Sequence, residues 1–140
     1  MVRAAIIAAF AVGLSGAPVT ATSQQDINAT LGGDPAIWSG LFTLALADQI
    51  RTVCPTIEAR TIRATRFVYD VYSLARAYGY SRQEIRAFQV DDSTEERMRA
   101  EVLAYFQEHN VREGEPETYC ALGEAEIAAG TPAGTLLRAR

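Results

Sequence analysis

Residues 34–55 read DPAIWSGLFTLALADQIRTVCP, and this stretch decides the fold class. Asp34 carries the short acceptor side chain that caps a helix N-terminus. Pro35 suits the first helical position, where no amide hydrogen is needed. Cys54-Pro55 ends the run, because a residue before proline is pushed out of the helical region. Between these marks Ile37, Trp38, Leu41, Phe42, Leu44, Leu46 and Ile50 cover most of the circumference of a helix over residues 35–52. A helix that is apolar nearly all round belongs inside a bundle.

Working outward toward the C-terminus, the spacing predicts a second helix over residues 56–78, ended by Gly79. At 100° per residue, Ala64, Thr65, Val68, Val71, Tyr72, Ala75 and Tyr78 share one arc. Glu58, Arg63, Arg66, Asp70, Ser73 and Arg76 share the other. Ser81-x-x-Glu84 is a capping box that opens a short helix over 82–90, and Ser93-x-x-Glu96 opens another that runs to residue 109. On that helix Met98, Val102, Tyr105, Phe106 and His109 fall on one face. Glu113 to Pro116 is a polar turn, and Pro116 starts a last helix that Gly130 stops near Ala129. The tail from Thr131 carries Leu136 and Leu137 and suits a helical turn docked on the core. No strand pattern and no internal repeat is visible. The expected fold is all-α: a compact bundle of about five helices in a single domain, 34–140, stapled by one disulfide.

Toward the N-terminus, residues 22–33 are polar and end in Gly32-Gly33, so they read as a flexible lead-in. Before them, Met1-Val2-Arg3 is followed by an apolar run from Ala4 to Leu14, then by Ser15, Gly16 and Ala17. A positive start, a short apolar run and small residues form an export signal. Val19-Thr20-Ala21 is the best cleavage site, so 1–21 is expected to be a signal peptide cut after Ala21, and the mature chain periplasmic. The apolar run is too short to span a bilayer comfortably.

The chain has 140 residues, 49% of them hydrophobic and 21% charged, an ordinary balance for a globular protein. Its net charge of −4 gives no basic footprint for nucleic acid, and no apolar stretch approaches membrane-spanning length. All 13 basic residues are arginine, read as a compositional bias rather than a recognition surface. Cys54 and Cys120 are the only cysteines. An even count in an exported chain reads as a disulfide. The loop it closes, about 67 residues, gives roughly 4 kcal/mol in the chain-entropy picture. Against a total stability of about 5–15 kcal/mol that is a large share. A structural zinc ion wants about four ligands, and the chain has one histidine and no clustered cysteines. A redox pair wants the C-x-x-C spacing, which is absent.

Candidates for chemistry are few. His109 is the sole histidine and sits on an apolar face at a helix end, so it reads as a packing or capping residue. The carboxylate pairs Asp91-Asp92, Glu95-Glu96 and Glu124/Glu126 mostly fall near helix starts and read as caps or solvated groups. Gly32-Gly33 lacks the spacing of a phosphate loop. No cofactor or metal is expected, and no catalytic constellation is found. Asp48 and Arg60 fall on inward arcs of consecutive helices, and three readings stand: plain surface, a partly buried ion pair as the structural expectation, and Arg60 open in a groove to meet a partner's carboxylate.

Tyr119-Cys120-Ala121, Ala125-Glu126-Ile127, Gly130, Gly134 and Leu136-Leu137-Arg138, together with Val53-Cys54-Pro55, carry a family resemblance over most of the mature chain. The chain resembles a family of small exported alphaproteobacterial proteins of unknown function. Gly130-Thr131-Pro132 departs from that pattern, where a bulkier approach without proline is expected. The resemblance implies no catalytic residues. It suggests genes near those of a respiratory NADH dehydrogenase, and so an accessory role in the envelope. The expected function is a non-catalytic interaction module with a protein partner in the cell envelope, Leu136 and Leu137 being the candidate surface. Two alternatives stand beside it. One is a small-molecule or lipid carrier with a cavity lined by Trp38, Phe42, Tyr69 and Tyr72. The other is a periplasmic stress chaperone loosened by acid.

Overall fold

The structure is a computed structural model that describes residues 21–140. Residues 1–20, nearly all of the expected signal peptide, lie outside the described residues. In chain order the elements are α1 (Gln24–Gly33), α2 (Pro35–Val53), β1 (Ile57–Ala59), α3 (Thr61–Ala77), α4 (Arg82–Gln89), α5 (Asp92–Glu108), α6 (Pro116–Ala129), α7 (Pro132–Thr135) and β2 (Leu137–Ala139). The fold is helical as expected, 74% helix, with seven helices among the described residues instead of about five.

Helix α2 is the central element. Asp34 accepts hydrogen bonds from the amides of Ala36 (2.8 Å) and Ile37 (3.1 Å), and Pro35 occupies the first turn. α1, α3, α5, α6, α7 and β1 all pack on α2, which accounts for its near-continuous apolar surface.

Residues 24–33 are a helix, not a flexible lead-in. Ser23 caps α1 by accepting from the Asp26 amide at 3.1 Å. Ile27 and Leu31, one turn apart, are buried with Ile85, Phe88, Ile37 and Trp38. Two apolar residues on one face suffice here, because the helix need only cover one end of the core.

The expected helix over 56–78 is shorter at its start. Ile57–Ala59 pairs antiparallel with Leu137–Ala139, Glu58 lying opposite Arg138. The Arg60 amide donates to the Leu136 carbonyl at 2.8 Å, and the Arg140 amide to that of Thr56 at 2.9 Å. The helix begins only at Thr61. The start of α5 also differs from expectation. Asp91 is its cap, accepting from the Thr94 amide at 3.1 Å and from the Ser93 hydroxyl, and Ser93 lies already inside the first turn.

At the C-terminal end, Gly130 takes a left-handed conformation (φ 63°) that ends α6. Thr131 then caps α7 with Pro132 in its first turn, so the Gly130-Thr131-Pro132 departure is the start signal of this turn. A side chain at Gly134 would strike the backbone of Glu126, so only glycine lets α7 lie this close to α6.

Two clusters make the core. The larger contains Leu46, Ile50, Cys54, Ile57, Phe106, Tyr119, Leu122 and Leu137. The smaller contains Ile27, Leu31, Ile37, Trp38, Ala75, Ile85 and Phe88.

Candidate functional site

Cys54 and Cys120 are bridged, with Cα atoms 5.0 Å apart. The bond joins the end of α2 to the second turn of α6. Asp48 and Arg60 do not form the expected ion pair. Asp48 pairs with Arg51, one turn along the same helix, and both are exposed. Arg60 donates from Nε to the Leu137 carbonyl at 3.1 Å. The cause is β1, which separates the two helices and aims Arg60 at β2. Leu136 and Leu137 are 2% and 0% exposed and belong to the larger core cluster, so they are not an interaction surface. Pairing of β2 with β1 turns Leu137 inward, and Leu136 is buried as the C-cap of α7.

His109 is the C-cap of α5. Its Nδ1 donates to the Tyr105 carbonyl at 2.7 Å, and its ring stacks on that of Tyr105 with centroids 4.0 Å apart. Glu126, read from sequence as a solvated acid, is 4% exposed. Its carboxylate accepts hydrogen bonds from the hydroxyls of Tyr105 and Thr131, tying α6 to α5 and to the start of α7. Burial, and then the bond to Glu126, push the Tyr105 hydroxyl up to about 12. A sequence signal existed: Glu126 stands one turn after Leu122 on α6 and three residues before the end of that helix, away from the first turn that acids favour.

Trp38, Phe42 and Tyr105 line an open groove of about 680 Å³ between α2 and α5. The Arg97 guanidinium lies 3.6 Å over the Trp38 ring. It donates to the Gly32 carbonyl at 2.7 Å and to Glu101 at 3.3 Å. Trp38 Nε1 donates to the same Glu101 at 2.8 Å. Arg97, Trp38 and Glu101 thus satisfy one another and fasten α1 and α2 to α5. Tyr69 and Tyr72 line a separate groove, with Val71, Ile85 and Phe88, so the four aromatic residues expected of a carrier share no cavity.

Helix α3 is the odd member of the bundle. Of its 17 residues only Val71 and Ala75 are buried. Val71 packs against the flat spot left by Gly40, where a side chain would collide with it. At the far end the Tyr78 hydroxyl donates to Asp34 at 2.6 Å, and this bond holds the Asp34 carboxyl below its usual value. The outer face is open. Ile62 is 90% exposed and Tyr69 65%, on the same stripe as Arg66 and Ser73. Val68 and Leu74, each about half exposed, lie farther round the helix on either side of the buried Val71–Ala75 face. Arg63, Arg66 and Arg76 lie outward as their arc implied, whereas Ile62 and Leu74 fall on neither arc and Tyr69, expected in a cavity, is open to solvent.

Among the described residues no group of three His, Cys, Asp or Glu side chains is placed to hold a metal ion, and no helix is long and apolar enough to cross a membrane. Comparison with curated proteins and with solved structures gave no match. One family model does match, over residues 29–138. The matched span runs from the second half of α1 into β2 and takes in both cysteines, Glu126 and all of α3. On that span the chain belongs to a family of unknown function, DUF5333.

Proposed function

We propose that this protein is a non-catalytic interaction module of the cell envelope, exported by its N-terminal segment, which binds another protein through the outer face of α3. The observation that carries this reading is the exposure of Ile62 and Tyr69 on a helix anchored by only two buried residues. A monomeric surface tolerates single exposed apolar residues, but a large aliphatic and a tyrosine on one stripe with arginine beside them have the composition of a contact patch. The groups that sequence offered for chemistry have structural work instead. Both cysteines are bridged, His109 closes a helix, and Glu126 is held by two hydroxyls.

The test is site-specific photo-cross-linking in cells, with the reactive group at position 69 and at position 103 as a control. Leu103 is also exposed, 51% against 65% for Tyr69, but lies on α5. A discrete adduct from 69 and not from 103, lost in Ile62→Ser, supports the module. No adduct at 69, or the same adducts at both positions, sinks it.

A further inference from the structure

The chain is acidic overall, but its charge is segregated. From Asp48 to Arg76, with the Arg138–Arg140 tail, it has seven arginines against three carboxylates. From Ser81 to Thr135 it has five arginines against twelve carboxylates. α3 and the β1–β2 pair form the basic side.

The carboxylates on that side do little to neutralise the start of α3. Asp48 is taken by Arg51 and Glu58 by Arg138 and Arg140, and the third carboxylate, Asp70, is exposed one turn after Arg66 on α3, too far along the helix to offset its first turn. Arg60 and Arg63 donate to the backbone carbonyls of Leu137 and Thr135, which leaves their charge uncompensated. Arg66 is exposed and makes no ion pair. The first turn of α3 has no acidic residue, so these arginines also face the positive end of the helix dipole. Within the chain this is unfavourable, and local rules broken without compensation mark functional surfaces. The same turns carry Ile62 and Tyr69. Tyrosine and arginine around an apolar residue make the composition of interface hot spots.

We infer that the outer face of α3 seats an acidic segment of a partner protein, with carboxylates meeting Arg63 and Arg66 and an apolar pocket receiving Ile62 beside Tyr69. This rests on the interaction-module reading and specifies its partner. A lipid surface is a poorer fit. An interfacial helix turns one broad, continuous apolar face outward, whereas α3 turns its Val71 and Ala75 side inward on the bundle and its outer face interleaves Ile62 and Tyr69 with Arg63, Arg66, Asp70 and Ser73.

The experiment uses the whole chain, oxidised, with the photo-reactive group at position 69. The adduct should fall about tenfold in Arg63→Glu/Arg66→Glu and be retained in Arg63→Lys/Arg66→Lys. Arg99→Glu, on the acidic side, should leave it unchanged. In vitro, a short amphipathic peptide of Leu, Ala and Glu should bind about tenfold tighter than its twin with Gln for Glu, and lose that margin in high salt. Both arginines are exposed, so an unchanged melting curve confirms that the variants fold. An adduct that survives charge reversal keeps the module and overturns the acidic partner. Equal binding of the two peptides overturns it as well. Binding to phosphatidylglycerol-rich vesicles in preference to the Glu peptide makes the surface a lipid contact. A cross-link to a second copy, dependent on concentration, makes it a self-association face. No adduct in any variant sinks both readings.

Discussion

The core cluster around Cys54 and the core cluster around Phe88 share α2, yet they are closed by different means. The first is closed by links between segments remote in sequence: the Cys54–Cys120 bond, the β1–β2 pair, and Glu126 held by Tyr105 and Thr131. The second is closed largely by helices whose N-terminal ends are fastened by side chains: Ser23 on α1, Asp34 on α2 and the Ser81–Glu84 box on α4, with Asp91 capping α5 beside it. The difference teaches that one part of this small molecule is secured through the entropy of its unfolded chain, and the other through local hydrogen bonds that depend on ionised carboxylates.

The sharpest way to break the comparison is to remove the covalent link. Cys54→Ala/Cys120→Ala should lower the unfolding free energy by roughly 4 kcal/mol. Urea titration reads this directly. A loss below about 1 kcal/mol would mean that the β1–β2 pair, not the bridge, secures the larger cluster.

A smaller effect is expected in the other cluster. Leu31→Ala should cost about 3 kcal/mol, because it empties a fully buried site beside Phe88. The one tryptophan, Trp38, lies in this cluster, so its emission reports the change. A loss under about 0.5 kcal/mol would return residues 24–33 to a dispensable lead-in.

The least costly perturbation is acid. Asp34, Glu84 and Asp91 all have carboxyls held below their ordinary values of 3.8, 4.5 and 3.8. For Asp34 the bond from Tyr78 is the main cause, for Glu84 the bond from the Ser81 amide, and for Asp91 the bond from the Ser93 hydroxyl. A value lower in the folded state means stability that is present above the unfolded value and lost as pH falls through the folded one. Asp34 and Glu84 fasten helices that supply the smaller cluster, while Asp91 fastens α5, whose buried Val102 and Phe106 belong to the larger one. Acid titration should therefore change Trp38 emission at a higher pH than it changes far-ultraviolet circular dichroism. Coincident transitions would show that the two clusters unfold as one.

What could be read from sequence followed the range over which each signal acts. α2, α4 and α6 were legible because their caps and stops are neighbours of the residues they govern: Asp34-Pro35, Ser81-x-x-Glu84, Pro116 and Gly130. The disulfide was legible by counting. α1 was missed because a ten-residue helix with only Ile27 and Leu31 for its buried face is indistinguishable from a polar linker until Phe88 and Ile85 are brought to it. β1 and β2 were missed because each is three residues long and pairs with a remote partner. That omission misplaced Arg60 and turned the buried Leu137 into an imagined surface. The open face of α3 was half legible: its arginines were seen, but an apolar residue at 90% exposure defeats any rule that assigns apolar residues to the inside.

The β1–β2 pair also bears on the order of events during synthesis. Glu58 and Arg138, paired across it, are 80 positions apart. A chain is made from its N-terminus, so β1 emerges long before its complement and waits as an unsatisfied strand edge, the kind of surface that invites wrong partners. A product that stops short of Leu137 leaves that edge open and Ile57 without its cover. Closure of the two three-residue strands thus removes the open edge and covers Ile57 only when residues 137–139 are in place.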